Sequence, residues 1–327
     1  MLHVQLLLST YDACFSHCMD INCYGIDKCW GSRMVVVHKK YSESHDVVFA
    51  NKDCLQLLKD IPNDCIDLTI TSPPYCMGKS YEASKSCDDF RKAHLEILPE
   101  IVRVTKKGGS ICWQVGYHIN SGVTTPLDLI VHSIMSEIGN VCLRNRIIWS
   151  FGHGLHCSSR FSGRHEVVMW YTKGDDYYFD LDAVRIPQKY PGKTHYKGDK
   201  RGEPSANPKG KNPGNVWDIP VVNANHVEKT EHPCQFPVAL AQRLVLALSK
   251  KGDRVFDPFS GVATTGCAAI IEGRKFCGAE LSKNYYALGF RRLHQAGKGI
   301  LKFRSHEIPV SSPNPKSKVA QNPFTEE

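Results

Sequence analysis

The sequence predicts an α/β fold, a mixed and largely parallel sheet covered by helices on both faces. Three observations lead there. Seven short apolar or β-branched runs, near 47–50, 66–71, 110–115, 144–150, 165–172, 253–258 and 275–280, are separated mostly by stretches of helical character. One of these runs stops at two consecutive prolines, and another opens a strand, glycine turn, helix, strand unit. At 327 residues the chain can bury a sizeable core as one large domain with an inserted smaller lobe.

The first informative element is the run Ile66-Asp67-Leu68-Thr69-Ile70-Thr71, followed by Ser72-Pro73-Pro74-Tyr75. Both prolines fix φ and neither donates to a ladder, so a buried strand must end here. At that stiff end stand the Ser72 hydroxyl, the Pro73 carbonyl with no competing N–H from the next residue, and the Tyr75 ring. All three face the space beyond the sheet edge where α/β proteins place ligands. The set suits an exocyclic amino group on a planar base, with two acceptors for its N–H bonds and a ring to stack on. An ordinary strand followed by a Pro-Pro turn is the plain alternative.

The second element is Arg254 to Gly266, containing Asp257-Pro258-Phe259-Ser260-Gly261 and Ala263-Thr264-Thr265. A helical run, Cys267 to Gly273, follows, then a strand from Lys275 that ends in Glu280. In such a unit the turn approaches a nucleotide and an acid about 20 residues on binds ribose hydroxyls. A G-x-G-x-x-G pattern and a Walker lysine are both missing from the unit. A cofactor with adenosine and no phosphate fits best, and S-adenosylmethionine is the candidate.

Taken together, the two segments resemble the DNA amino-methyltransferases, in the group whose catalytic motif precedes the cofactor motif. Further matches follow in order: Asp53-Cys54-Leu55 with Leu57-Leu58, Val104 to Gly109 followed by Ser110 to Trp113, Arg146 to Trp149, and His232-Pro233-Cys234-Gln235-Phe236-Pro237. The resemblance covers roughly residues 46 to 295. It implies a Rossmann-like, S-adenosylmethionine-dependent methyltransferase sheet with circularly permuted motif order. Ser72, Pro73, Pro74 and Tyr75 are then the catalytic motif, and its Thr-Ser-Pro-Pro-Tyr form resembles the N4-cytosine branch. The cofactor set it implies is Asp53 at the adenine amino group, Thr71, Phe236 at the methionine side, Glu280 at the ribose, and the turn of Asp257, Pro258, Phe259, Gly261, Thr264 and Thr265. No metal is implied. The family's F-x-G-x-G turn appears as Phe259-Ser260-Gly261-Val262-Ala263, and the alanine leads to the expectation that this position does not need a strongly positive φ.

Between Arg185 and Lys211 stand eight basic residues, Arg185, Lys189, Lys193, Lys197, Lys200, Arg201, Lys209 and Lys211, against Asp199 and Glu203. The whole chain carries +8, so this Pro/Gly-rich segment matches most of the excess. Neutralising phosphates needs such charge, and moulding to a groove needs such backbone freedom. A solvated linker is the alternative. Position favours recognition of double-stranded DNA, because the family places its target-recognition region here. The expected division is an extension at 1–45, a catalytic half at 46–150, a target-recognition lobe at 151–228, a cofactor half at 229–300 and a disordered tail at 301–327, rich in Ser, Pro, Asn and Lys from Ser311.

Other features narrow the class. No apolar stretch approaches a membrane span, and Leu6-Leu7-Leu8 is too short for a signal core, so a cytoplasmic location is expected. The fourteen cysteines are scattered singly, which suggests reduced, buried thiols such as Cys112, Cys142, Cys267 and Cys277. Cys14, Cys18, Cys23 and Cys29 match no standard zinc spacing, and Met34 opens a natural start before the family-like region, leaving the first 33 residues as an accessory extension or an upstream start. Cys76 is read as structural, since Tyr75 separates it from the prolines. The reading is an N4-cytosine DNA methyltransferase in a restriction-modification setting, with a cognate endonuclease acting separately. Alternatives are an N6-adenine enzyme, a methyltransferase of protein glutamine or RNA, and a DNA-binding protein that has lost catalysis.

Overall fold

A computed structural model of the chain describes residues 35–75, 86–152, 154 and 156–308; the readings made for 1–34, Cys76 and 309–327 lie outside them. Among the described residues, the order is β1 (Val37–His38), β2 (Val47–Ala50), α1 (Cys54–Asp60), β3 (Ile66–Thr71), α2 (Cys87–Val104), β4 (Thr105–Val115), β5 (Tyr117–Asn120), β6 (Val123–Pro126) and α3 (Leu127–Ile138). There follow β7 (Val141–Ser150), β8 (His165–Lys173), a 3₁₀ turn at Asp182–Val184, β9 (Val216–Asp218), α4 (Val238–Leu248), β10 (Arg254–Asp257), α5 (Thr264–Ile271), β11 (Lys275–Ala279) and α6 (Lys283–Gly297).

Nine of the strands form one sheet in the order β1-β2-β11-β10-β3-β4-β8-β7-β9. Pairing is parallel from β1 through β4, antiparallel at β4–β8 and β8–β7, and parallel again at β7–β9. The period of two sorts side chains between two cores. Val47, Phe49, Leu68, Ile70, Val255 and Phe276 join the core that α4 and α5 contribute to. Val48, Ala50, Ile66, Ile111, Trp113, Phe256 and Cys277 join the core shared with α1, α2 and α3. Cys54, Cys112, Cys267 and Cys277 are buried thiols without a disulfide, whereas Cys142 is only half-buried.

The helix starts carry local signals. Asp53 caps α1 by accepting from the Leu55 N–H at 2.9 Å, and Ser86 caps α2 by accepting from the Asp89 N–H at 3.1 Å. At the start of α4 the buried Glu228 carboxylate accepts the Val238 N–H at 2.8 Å, from a distance of ten residues in sequence.

The structure departs from the sequence reading in its antiparallel part. β4 begins at Thr105, five residues early, because Gly108 (φ 79°) lets the strand pass the turn with a register shift opposite Ile66 and Leu68. The β5–β6 hairpin and β9 were not anticipated, and β4 runs into the hairpin without a helix. The span 151–228 supplies β8 and β9 to the main sheet, while 187–210 forms no strand or helix, only isolated bridges such as Thr194 with Pro204.

Candidate active site

Register brings both informative segments to one edge of the sheet. β10 lies beside β3, with Val255 opposite Leu68 and Phe256 opposite Thr69, although 187 residues separate each pair in sequence. The ends of β3 and β10 therefore meet, and the Thr71 hydroxyl donates to Asp257 Oδ1 at 2.6 Å. The Phe259 N–H donates to the same oxygen at 3.1 Å, while Asp257 Oδ2 is buried with no hydrogen-bond partner. Burial pushes this carboxyl up to about 6, against the hydrogen bond from Thr71. Asp257 thus welds the two segments together from behind.

Beyond Asp257 the chain makes a tight turn. Gly261 has φ 51°, and a Cβ there would stand 3.1 Å from His232 Nε2, so the imidazole lies directly over the turn. Ala263 corrects the sequence reading. Its φ of 57° and ψ of 40° are left-handed, although the alanine had suggested otherwise. An L residue pays roughly 1–2 kcal/mol for that conformation. The cost is borne by full burial of its methyl group, with the Ala263 N–H donating to the Ser260 carbonyl at 2.7 Å and its carbonyl accepting from Cys267 N–H at 2.9 Å. Thr264 and Thr265 are buried too: Thr264 Oγ1 accepts from Arg292 at 3.0 Å and Thr265 Oγ1 donates to the Ile70 carbonyl at 3.3 Å. Their hydroxyls brace the turn from inside. Pro258 is buried, and Phe259 packs edge-on to Trp113 with ring centres 6.2 Å apart.

Glu280 follows β11 and closes the other side. Its carboxylate accepts the Gly261 N–H at 2.9 Å and the Ser282 N–H at 2.7 Å, one on each oxygen. Burial raises this carboxyl to about 7 despite those two N–H groups. Each oxygen keeps a further lone pair. Phe236 is half-buried against the α4–α5 core, and the His232 ring meets Tyr285 edge-on at 4.5 Å. Burial, then the charges of Lys229 and Arg292, hold His232 down to about 4, so it is neutral. Asp53, as the α1 cap, has one carboxylate oxygen committed to backbone N–H groups.

The Ser72–Tyr75 segment holds a cluster that sequence reading missed. The Ser72 and Tyr75 hydroxyls are 3.4 Å apart. Gln114 Nε2 on β4 donates to the Tyr75 oxygen at 2.7 Å, and the Tyr75 hydroxyl donates to Glu166 Oε2 on β8 at 3.3 Å. Gln114 also donates to Glu166. Burial pushes Glu166 up to about 7, with the Tyr75 and Gln114 hydrogen bonds acting the other way. Gly116 makes room, since a Cβ there would stand 3.2 Å from both Glu166 Oε1 and the Tyr75 ring. The available signal was a polar residue inside each apolar run, Gln114 after Trp113 and Glu166 before Val167. Pro73 is buried and Pro74 exposed.

The basic segment lies on the surface. Lys189, Lys193, Lys197, Lys200, Arg201, Lys209 and Lys211 are all exposed. Lys209 and Arg185 share Asp182, and Ile186 pairs with Lys211 through hydrogen bonds of 3.0 and 2.8 Å, which closes the base of the excursion. Among the described residues no three His, Cys, Asp or Glu side chains are grouped to hold a metal, and no helix is long and apolar enough to cross a membrane.

Comparison with known proteins places this architecture. The chain is 42% identical over 258 residues to the Type II methyltransferase M.BglII of Bacillus subtilis, covering 79% of this chain and 71% of the relative. It is 36% identical over 251 residues to the DNA adenine methyltransferase YhdJ of Escherichia coli (strain K12), covering 75% and 81%. In fold it is similar to the solved PvuII DNA methyltransferase (cytosine-N4-specific), with a TM-score of 0.60 at 20% identity over 79% of this chain and 93% of that one. A family model described as DNA methylase matches residues 66–291. With β3 and its Ser72-Pro73-Pro74-Tyr75 end encoded before β10 and its glycine turn, and both meeting at one sheet edge, the chain belongs to the DNA methylase family of N6-adenine and N4-cytosine amino-methyltransferases.

Proposed function

We propose that this enzyme methylates the exocyclic N4 amine of cytosine in double-stranded DNA, at a specific site. The observation that carries the choice is Ser72 ahead of Pro73-Pro74-Tyr75 at the end of β3, beside the turn after β10. An amine conjugated with its ring is a poor nucleophile until its nitrogen pyramidalises. Two acceptors draw it there, the Ser72 hydroxyl and the Pro73 carbonyl. Tyr75 offers its ring to a base flipped out of the duplex, and Gln114 and Glu166 hold its hydroxyl.

The cofactor turn fits S-adenosylmethionine. Glu280 retains lone pairs for two ribose hydroxyls, the left-handed Gly261 leaves room that a side chain would fill, and the orphaned Asp257 Oδ2 offers an acceptor for an ammonium. Asp53 and Phe236 complete the set at the adenine and methionine ends. When bound, S-adenosylmethionine supplies an activated methyl group, so no covalent bond to the protein is required. Lys189, Lys193, Lys197, Lys200, Arg201, Lys209 and Lys211 supply charge for backbone phosphates. Similarity to a Type II methyltransferase supports a restriction-modification setting, with a cognate endonuclease as a separate protein.

A second reading is N6-adenine methylation, favoured by the 36% identity to a DNA adenine methyltransferase. Mass spectrometry of nucleosides from DNA treated with the enzyme separates the two. N4-methylcytosine is expected, N6-methyladenine would replace the first reading by the second, and single-base mapping of DNA from expressing cells gives the target site.

A further inference from the structure

Phe161 is the most exposed of the described large apolar side chains, at 101% of its full accessible surface. Its place in the fold makes this informative. It stands between β7 and β8, and the antiparallel register of β8 with β4 (Val115 opposite Val167) puts that connection at the same sheet edge as Ser72 and Tyr75. The tip is a short turn in which the Cys157 N–H donates to Ser162 Oγ at 3.1 Å. Its base is fixed by the Phe151 N–H donating to the Arg164 carbonyl at 3.0 Å. Gly163 packs against the Tyr117 hydroxyl, so that a Cβ there would displace the Tyr117 ring. Five residues beyond Phe161, Glu166 accepts the Tyr75 hydroxyl. An uncovered aromatic ring thus stands on the β7–β8 connection, at the sheet edge that carries Ser72 and Tyr75.

The surroundings identify the occupant. Arg160 and His165 are exposed and Arg164 is half-buried, so cationic and polar groups flank the ring rather than an apolar surface that another protein would cover. A polyanion whose interior offers flat apolar faces matches this pattern. A duplex opened at one base has both, phosphates outside and a gap in the stack within. We propose that Phe161 is a wedge that enters the base stack of DNA and fills the space left by the flipped target base, with Arg160 and His165 set against the adjoining phosphates.

This inference rests on the methyltransferase reading, and one comparison separates the two. The wild-type chain and Phe161→Ala are assayed for methyl transfer to a duplex carrying the mapped target site. The duplex is prepared fully paired and also with an abasic position opposite the target base. A wedge earns its rate by opening the pair, so Phe161→Ala should lose on the order of 10-fold or more in kcat/KM on the paired duplex. On the abasic-opposed duplex, where pairing is already lost, it should stay within about threefold of wild type. Phe161→Trp should keep the wild-type preference on both. Equal loss on both duplexes would make Phe161 a simple contact and overturn the wedge, as would full activity of Phe161→Ala on the paired form. A wild-type chain inactive on both would overturn the methyltransferase reading and the wedge together.

Discussion

With the ribose placed at Glu280 as proposed, a carboxyl that burial raises to about 7 should make cofactor affinity a function of pH. Burial is the main reason its carboxyl stands at about 7, and the N–H groups of Ser282 and Gly261 only partly offset it. A carboxylate that accepts a ribose hydroxyl on each oxygen must be ionised. Binding confined to the ionised form loses about tenfold in affinity per pH unit below the pKa, ~1.4 kcal/mol each. Between roughly pH 6 and pH 8 the apparent Kd for S-adenosylmethionine should therefore fall by about tenfold, and close to one proton should be released on binding at the acid end. Titration calorimetry in two buffers of different ionisation enthalpy measures both quantities. Glu280→Gln should flatten the profile and, at the alkaline end, weaken binding by more than tenfold, from a lost charge-assisted contact of about 2 kcal/mol. The same shift has the opposite sign for the free protein. Its folded pKa lies above the unfolded one, so Glu280 costs stability as pH rises from the usual carboxylate range to about 7, and bound cofactor should restore it. A wild-type Kd that does not move with pH, or a Glu280→Gln variant with an unchanged slope, would refute the placement of the ribose.

Ser72→Ala should still bind DNA and cofactor but lose ~10²-fold or more in methyl transfer, read in single-turnover assays, as for other lost transition-state hydrogen bonds. Replacing Lys193, Lys197, Lys200 and Arg201 together by alanine should weaken DNA binding and make its salt dependence shallower with cofactor affinity intact; an unchanged slope would mark 187–210 as a linker. Thr71→Val removes the donor to the buried Asp257 and should cost about 1–3 kcal/mol in denaturant unfolding. That loss should shrink below about pH 6, where Asp257 is protonated and needs the donor less.

Much of the sheet was legible because its chemistry is local. The run Ile66–Thr71 is bounded by the prolines that follow it, and the strand from Lys275 by the Gly273 turn before it, so both were found nearly residue for residue. The hairpin at Tyr117–Pro126 turns on Ser121 and Gly122, both at positive φ, a Ser-Gly signal that was present but set among polar residues without alternation. Ala263 was misread because the sequence shows the cost of a left-handed alanine but not the burial that offsets it. Glu166 and Gln114 were invisible for another reason. They reach Tyr75 across 91 and 39 residues, and only the antiparallel pairing of β8 with β4 brings them together.

The strand order also constrains how the molecule is made. β2 and β3 come early in the chain yet do not touch; β11 and β10 lie between them. Until the chain has been translated through Ala279, the nascent sheet has a slot two strands wide, about 10 Å across, with unpaired backbone on both sides. At ordinary rates of synthesis, roughly 5–20 residues per second, that slot stays open for about 10–40 s after β3 has emerged from the ribosome. Asp67 stands on one side of it: its Oδ1 accepts from Lys106 Nζ on the neighbouring β4 at 2.6 Å, and its Oδ2 gains the Arg254 N–H at 2.8 Å only when β10 arrives. Methyl transfer must therefore await nearly the whole chain, because the ends of β3 and β10 come together only once the slot is filled.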